Sequence, residues 1–243
     1  FQSRSIQFDD FDHVLNQSSS MNSINPKVFQ FFSSLKENNN RDWFEKHKPH
    51  FKELETEVKE FCVLLFNQIS VHDSLEGWKL MRIYRDVRFS KNKTPYKTNF
   101  GIAFHRAQPN FRGSYYLHIS PDDSFLACGF WGPEPKDLLR IRKELSVSGD
   151  EFRNVINQPS FKNTWGDLVG DELKSAPRAF DKHHPDIDLI RKKQFLFMIR
   201  FEDNEVDKDD FLERVNNALR EVRPFVDFMS DVLTTDLNGE SLV

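Results

Sequence analysis

Residues 100–131 read FGIAFHRAQPNFRGSYYLHISPDDSFLACGFW. Apolar side chains recur at every second position in two parts of this stretch: Phe100, Ile102, Phe104 and Tyr115, Leu117, Ile119. Such alternation is typical of β-strands that bury one face. A loop containing Gly113 and a turn at residues 121–123 separate the segments, and a further strand is expected from Phe125 to Trp131. Because these connections are too short for crossover helices, the stretch predicts an antiparallel meander.

The residues before this stretch alternate in the same way. Between positions 81 and 89, one side would carry Met81, Ile83, Val87 and Phe89, and the other Arg82, Tyr84, Asp86 and Arg88. We therefore expect another half-buried strand over these positions. Arg85 would fall on its apolar side, where an unpaired charge is very costly. A side chain distant in the sequence should therefore pair with Arg85.

Helical patterns flank the predicted meander on both sides. On the N-terminal side, we expect helices that begin at Asn25-Pro26, at Arg41 and at Pro49, the second ending near Lys48 and the third near Ile69. On the C-terminal side, we expect helices that begin at Pro135, at the capping box Ser148-x-x-Glu151, at Pro185 and at Phe211, the last broken at Pro224.

The segment Phe195–Phe201 is apolar on both alternations, which predicts a central strand covered on both faces. The order of elements predicts a single α+β domain over residues 21–243, with an antiparallel meander sheet packed against N- and C-terminal helices. Residues 1–20 are polar and begin with Phe1-Gln2-Ser3, which resembles the remnant of an engineered cleavage site. We expect this segment to be an engineered or disordered leader.

Composition argues against several classes of protein. The net charge of the 243 residues is −4, so no overall positive field would attract nucleic acid or an acidic membrane. No apolar run approaches the roughly 20 residues needed to span a bilayer. Cys62 and Cys128 form neither a disulfide framework nor a CxxC pair. We expect a cytoplasmic chain with two buried thiols, no membrane contact, and no cofactor or metal.

The segment at 82–97 stands apart from this near-neutral background and reads RIYRDVRFSKNKTPYK. The segment contains a single acid, Asp86, and six cations: Arg82, Arg85, Arg88, Lys91, Lys93 and Lys97. Like charges this close repel one another, so an anion should neutralise them. Arginine suits planar phosphate or carboxylate partners, and lysine supplies a mobile point charge. The segment therefore predicts a site for a small anionic ligand or phosphorylated compound.

Each candidate side chain has an expected role in that site. The ligand would be bound by the cations Arg82, Arg85, Arg88, Lys93 and Lys97, and positioned by Tyr96. Asp86 would orient an arginine or act as a base, and Lys93, which lies among other cations, would serve as a nucleophile or base. His118 would carry a proton, and Arg178 would cover the site from a loop. Whether the chain is an enzyme stays open.

Two other interpretations of the segment stay open. The cations and aromatic side chains could form a nucleic-acid-binding surface, which the near-neutral net charge makes less favourable. They could instead pair with carboxylates of the same chain and serve only a structural or protein-interaction role, in which case every arginine of the segment should have an acidic partner. His118 could likewise be an ordinary sheet histidine, and the spacing of His183 and His184 matches no strong metal pattern.

Residues 82–97 match the pattern R-x-x-R-D-x-R-F-x-x-x-K-x-P-Y-K at every specified position. This pattern resembles the signature of a conserved hypothetical family of bacteria and fungi, domain of unknown function 2461. Further similarity extends from Met21 to about residue 230. The resemblance implies no activity. The chain departs from it at Ala179 and His183, where the family usually has Gly and Asp, which puts any role of position 183 in doubt.

Overall fold

The computed structural model describes residues 22–243, and the predicted leader at 1–20 lies outside them. These residues form one sheet of five strands: β1 (Leu75–Leu80), β2 (Phe100–Arg106), β3 (Ser114–Ile119), β4 (Ser124–Phe130) and β5 (Phe195–Phe201). The strands lie in chain order, and each is antiparallel to the next. The predicted antiparallel meander and the α+β class are both confirmed.

Eight helices within residues 22–243 accompany the sheet. They are α1 (Lys27–Glu37), α2 (Arg41–Ile69), α3 (Pro135–Ile156), α4 (Pro159–Trp165), α5 (Ile187–Ile190), α6 (Asp203–Val206), α7 (Phe211–Glu221) and α8 (Arg223–Thr234). None of these helices combines the length and the apolar character needed to cross a membrane.

Helices pack against one face of the sheet through aromatic side chains. Phe100 on β2 contacts Phe32 of α1 and Phe51 of α2, with ring centroids 4.9 and 5.7 Å apart. Each buried phenylalanine removes a large apolar area from water, so this layer supplies much of the stabilisation of the fold. Cys62 and Cys128 are free and buried, as predicted.

The opposite side of the sheet, which we call the outer face, carries Gly101, Ala103, Tyr116, His118, Phe125 and Ala127. The rings on this face contact one another: His118 and Phe125 stack with centroids 4.7 Å apart, and Tyr116 lies 5.9 Å from Phe125. Within residues 22–243, no aromatic contact joins these rings to a helix. All three are half-buried, so the outer face presents aromatic surface to solvent.

The strand predicted over positions 81–89 is wrong. The first strand lies just before it, at β1, and residues 81–99 form an irregular loop that pairs with itself through a single bridge between Tyr84 and Tyr96. Proline at 95 has no N–H to donate to a ladder, and Asn92 closes a local turn by accepting from the backbone N–H of Thr94. These local bonds compete with pairing to β2.

Two predicted helix boundaries, at Pro49 and at Ser148, are also wrong, because each lies inside one continuous helix. The helix α2 runs for 29 residues through Pro49, so the expected helices at Arg41 and Pro49 are one. Phe44 and Phe51, on either side of the proline, contact each other at 5.5 Å, and such packing offsets the lost hydrogen bond. Similarly, α3 continues past Ser148 with a kink, where the backbone has φ −119° and ψ 32°.

The segment Phe195–Phe201 forms a strand, as predicted, but it lies at the edge of the sheet. One set of its side chains is buried beneath the helices, where Phe197 contacts Phe161 of α4 at 4.8 Å. Leu196, on the other side, is also buried and bridges through its backbone to Val169. Further along this side, Met198 is half-buried and Arg200 is exposed, so the prediction of cover on both faces is wrong beyond Leu196.

Candidate functional site

Residues 81–99, which we call the basic loop, have a defined conformation. The backbone N–H of Arg85 donates to the carbonyl of Pro95 at 2.9 Å, and the N–H of Lys97 donates to the carbonyl of Ile83 at 2.8 Å. The N–H of Met81 joins the base of the loop to β2 by donating to the carbonyl of Gly101. The loop is therefore folded back on itself and continuous with the end of the sheet.

Tyr96 anchors the basic loop to the helices. Its ring is buried and stacks on Phe44 of α2, with centroids 4.1 Å apart. Burial, together with the neighbouring Tyr84 and Glu45, raises the pKa of the Tyr96 hydroxyl. The side-chain amide of Asn39 bonds both backbone polar groups of Tyr96. The predicted ligand-positioning residue thus holds the loop in place as well as lining the cleft beside it.

A cleft of about 380 Å³ lies between the basic loop and the C-terminal end of α1. We call it the cationic cleft. It is lined by three cations, three amides and three hydroxyl-bearing residues: Lys36, Arg85, Lys97, Asn39, Asn92, Asn99, Thr94, Tyr96 and Thr98. No carboxylate is among these lining residues. The cleft is therefore rich in hydrogen-bond donors and carries uncompensated positive charge.

Arg85 has a partner other than the one expected. Its Nη1 donates to the carbonyl and the hydroxyl oxygen of Thr94, nine residues further along the chain. The prediction of a distant pairing residue is therefore wrong. The Nε and Nη2 groups make no hydrogen bond within residues 22–243, which leaves one edge of the guanidinium available for a planar anion.

Lys97 and Lys36 complete the positive lining of the cleft. Burial lowers the pKa of the Lys97 ammonium, and the neighbouring charge of Arg82 lowers it further. Both causes act against the charged form, so an anion placed beside Lys97 would be favoured. Lys36 comes from the last turn of α1, which was not part of the sequence-based site. No pattern in the sequence links Lys36 to the basic loop, since tertiary packing brings them together.

The remaining cations of the basic loop lie outside the lining of the cleft. Arg88 and Asp86 form an exposed ion pair with Nη2 and Oδ2 2.6 Å apart, and the hydrogen bond from Arg88 lowers the pKa of Asp86. A carboxylate held in this way is a weak base. Lys93 donates to the backbone carbonyl of Val87 at 2.9 Å, and so stabilises the turn. Arg82 is exposed and makes no side-chain hydrogen bond within residues 22–243.

His118 lies at the border between the cationic cleft and the outer face. Its Nδ1 is 3.2 Å from the hydroxyl of Tyr116 and 3.5 Å from Nδ2 of Asn99, which lines the cleft. Because an amide nitrogen can only donate, Nδ1 accepts, and the proton of the neutral ring is on Nε2. Burial lowers the pKa of His118 and outweighs the negative charge of Asp123, which acts to raise it. The neutral form of the imidazole is therefore favoured.

Arg178 lies in a different part of the molecule from the other candidates. It is exposed and makes no side-chain hydrogen bond within residues 22–243. The residues that follow it line a separate cleft against α3, where Nε2 of His184 lies 3.1 Å from the carbonyl of Ser146. Next to Arg178, Ala179 has φ +72°, a region that favours glycine. Position 179 therefore has a backbone reason to be glycine in related chains.

A buried charge network was missed by sequence reasoning. Arg106 at the end of β2 is fully buried, and its Nε donates to Asp73 at 2.9 Å. Tyr115 also donates to Asp73, while Asp227 of α8 accepts from Arg106. This network joins the sheet to α8. The only sequence signal was a charged residue that follows the apolar alternation of β2. Within residues 22–243, no group of three or more His, Cys, Asp or Glu side chains could hold a metal.

The fold and the cleft define a single-domain α+β protein with a cationic, carboxylate-free cleft at one end of an antiparallel sheet. Residues 27–228 match the model of the family described as conserved hypothetical protein (DUF2461). The chain belongs to this family. No curated protein matches the chain.

Proposed function

We propose that the chain binds a small anionic ligand, carrying a phosphate or a carboxylate group, in the cationic cleft. The observation that carries this proposal is the composition of the lining, in which Lys36, Arg85 and Lys97 have no carboxylate beside them. Three positive charges in one small cleft repel one another, and burial makes the charged form of Lys97 more costly still. A bound anion would offset both costs.

The donors around the cleft suit an oxyanion. The free edge of Arg85 offers two N–H groups in the fork geometry that phosphate and carboxylate accept, and Lys97 adds a point charge. The side-chain amides of Asn92 and Asn99 supply neutral donors on the same lining. Such a set can bind several oxygens of one group at once, which favours a phosphate over a halide or another spherical anion.

The structural alternative requires every arginine of the basic loop to have an acidic partner. Within residues 22–243, Arg88 pairs with Asp86, whereas Arg82 and Arg85 form no ion pair. Ion pairs within residues 22–243 therefore neutralise only some of the arginines of the basic loop. The guanidinium of Arg85, which lines the cationic cleft, is among those left without a carboxylate partner.

A second candidate function is binding of single-stranded nucleic acid, favoured by one observation. Phe89 at the tip of the basic loop is 96% exposed, and the Arg88 guanidinium lies 5.8 Å from its ring centroid. An exposed ring among cations can stack on a base while the cations contact phosphates. This function predicts affinity that falls steeply with salt and depends on Phe89, which does not line the cationic cleft.

Isothermal titration with inorganic phosphate and with sulfate tests the proposed ligand site. Arg85→Ala and Lys97→Ala should each weaken binding roughly 10- to 100-fold, as expected when a charge-assisted hydrogen bond is lost. Lys91→Ala is the matched control, because it removes an exposed cation of the same loop that does not line the cleft. Equal losses in all three variants would show that the charge of the loop, not the cleft, attracts the anion.

A further inference from the structure

Lys97 differs from the other lysines of the basic loop in its surroundings. Its side chain is half-buried and lines the cationic cleft, whereas Lys91 and Lys93 are exposed and lie outside the lining. The ammonium of Lys93 is also engaged, because it donates to the carbonyl of Val87 at 2.9 Å. Within residues 22–243, the Nζ of Lys97 makes no hydrogen bond and no ion pair. Lys97 is therefore the lysine of this loop whose nitrogen is available inside a cleft.

The groups around Lys97 favour its neutral amine over its ammonium ion. Lys36 and Arg85 line the same cleft, and no carboxylate is among the lining residues. Burial lowers the pKa of Lys97, and the charge of Arg82 lowers it further. A neutral amine has an electron pair to donate, and lysines that are shielded from water or lie beside other cations are suited to attack carbonyl groups. The cleft therefore favours the nucleophilic form of Lys97.

Arg85 and Lys97 are close neighbours across the fold of the basic loop. The antiparallel bridge pairs Tyr84 with Tyr96, so Arg85 and Lys97 each follow a bridged residue on opposite segments of the loop. Residues in this diagonal relation share one side of the pair and lie about 7–8 Å apart. Both also line the cationic cleft. The free edge of Arg85 and the amine of Lys97 can therefore contact adjacent groups of one small molecule.

We infer that Lys97 is a nucleophile that forms a Schiff base with a small 2-oxo acid, whose carboxylate is bound by Arg85. The inference rests on the proposed function and names the substrate class of that site. In a 2-oxo acid, the carbonyl carbon is bonded directly to the carboxylate, which matches an amine placed beside a guanidinium fork. Phosphate and sulfate have no carbonyl carbon, so they would occupy the cleft only as anions.

The reaction needs no partner other than the carbonyl compound. The amine nitrogen of Lys97 adds its electron pair to the carbonyl carbon and gives a carbinolamine. The carbonyl oxygen takes up the two protons of the amine and leaves as water. A C=N bond thus replaces the C=O bond, and nothing is oxidised or reduced. The side-chain amides of Asn92 and Asn99, which line the cleft, can donate to the oxygen as its charge develops.

Reductive trapping of the full chain tests the inference. Glyoxylate, the smallest 2-oxo acid, is added at limiting concentration with sodium cyanoborohydride, and peptide mass spectrometry locates the modified lysines. Acetaldehyde is the matched probe without a carboxylate. The ratio of modification at Lys97 to that at Lys91 within each sample cancels the different reactivities of the two aldehydes. This ratio should be at least about tenfold higher with glyoxylate, as a charge-assisted hydrogen bond to its carboxylate would give.

Two variants and one competitor show which groups are responsible. Arg85→Ala should reduce the glyoxylate ratio to the acetaldehyde value, because it removes the group that binds the carboxylate. Lys97→Arg should give no adduct at position 97 and should still bind inorganic phosphate, since a guanidinium keeps the charge but stays protonated. In the unchanged chain, saturating inorganic phosphate should protect Lys97 and leave Lys91 reactive.

The failure of the inference can be told from the failure of the proposed function. Equal ratios with the two aldehydes, or preferential modification of Lys36 or Lys93 by glyoxylate, would overturn the assignment of Lys97 as the nucleophile. The anion site would still stand if phosphate binds to the unchanged chain and binds more weakly to Arg85→Ala. If phosphate neither binds in the titration nor protects Lys97, the inference and the proposed function both fail.

Discussion

The side-chain amide of Asn39 pairs with both backbone polar groups of Tyr96. Its Oδ1 accepts from the N–H of Tyr96 at 3.1 Å, and its Nδ2 donates to the carbonyl at 3.0 Å. These residues are 57 positions apart, and the pair joins the turn after α1 to the basic loop. Because Arg85 and Lys97 lie within this loop, the Asn39 amide positions the cations of the proposed site.

Asn39→Asp should destabilise the protein. The substitution replaces the donor Nδ2 with a carboxylate oxygen, which faces the carbonyl of Tyr96 and cannot donate to it. We expect the free energy of unfolding to fall by about 1–3 kcal/mol, the usual cost of a polar group left without its partner. Urea denaturation of the two proteins measures this change in the free energy of unfolding. Asn154→Asp, at an exposed position without a side-chain hydrogen bond in residues 22–243, should have little effect.

Ala179→Gly should stabilise the protein. Ala179 has φ +72°, where the Cβ of alanine is crowded and glycine is not. We expect a gain of roughly 0.5–1 kcal/mol in the free energy of unfolding, measured by the urea midpoint. Ala176→Gly, in the same loop but without a positive φ, should lower stability or leave it unchanged. If Ala179→Gly lowered the free energy of unfolding as much as Ala176→Gly, the positive φ of Ala179 would not be a source of strain.

Asp73→Ala should be far more damaging than loss of the exposed ion pair in the basic loop. Removing Asp73 leaves the buried guanidinium of Arg106 with only part of its compensation, and breaking a buried pair typically costs about 3–5 kcal/mol. Asp86→Ala breaks the exposed pair with Arg88 and should hardly change the melting temperature. Comparable shifts in the two variants would show that the buried network contributes little to stability.

Stability should depend on His118 at acid pH. Burial lowers the pKa of His118 below its usual 6.5, so the unfolded chain takes up a proton at a pH where the folded chain does not. The contribution of a neutral His118 is fully present above pH 6.5 and is lost as the pH falls through the lowered pKa. His118→Gln should therefore flatten the decline of unfolding free energy below pH 6.5, relative to the unchanged chain. His105→Gln, exposed on the same face, is the control.

Sulfate affinity should fall with rising pH sooner than an ordinary lysine would allow. The lowered pKa of Lys97 means that its ammonium loses its proton below the usual value of 10.5, while sulfate keeps its charge. Lys97→Arg should make the decline smaller over the same range, because a guanidinium stays protonated. Titrations from pH 8 to pH 10.5 measure this. Parallel declines in the two proteins would mean that Lys97 does not contact the anion.

The sheet was predictable because its order follows from local alternation and short turns. In β2 and β3, large apolar side chains occupy every second position, and each connection leaves room only for an antiparallel neighbour. The β1 strand was harder to predict, since Gly77 and its half-exposed neighbours give no clear alternation. The residues after it alternate well but fold back on themselves, because Asn92 and Pro95 favour a local turn that alternation alone does not reveal.

The cationic cleft was predictable as a segment of the chain but not as a set of residues. The high density of positive charge in residues 82–97 singled out the basic loop in the sequence. Of its predicted ligand-binding residues, Arg85, Tyr96 and Lys97 line the cleft. Lys36 and Asn39 come from a helix and turn far away in the sequence, so only tertiary packing places them there. Conversely, Arg88 and Lys93 satisfy bonds inside the loop itself. Whether a cation is free to contact a ligand depends on the hydrogen bonds that its side chain makes in the folded chain. The spacing of residues in the sequence does not reveal those hydrogen bonds.

A crystal of the full chain soaked in tungstate tests the central claim most directly, because anomalous scattering locates this phosphate-like anion. We expect a tungsten peak in the cationic cleft, with oxygens in hydrogen-bond range of the Arg85 guanidinium and the Lys97 ammonium. A tungsten peak only beside exposed cations such as Arg82 or Lys91, with the cleft holding none, would contradict the assignment of the site.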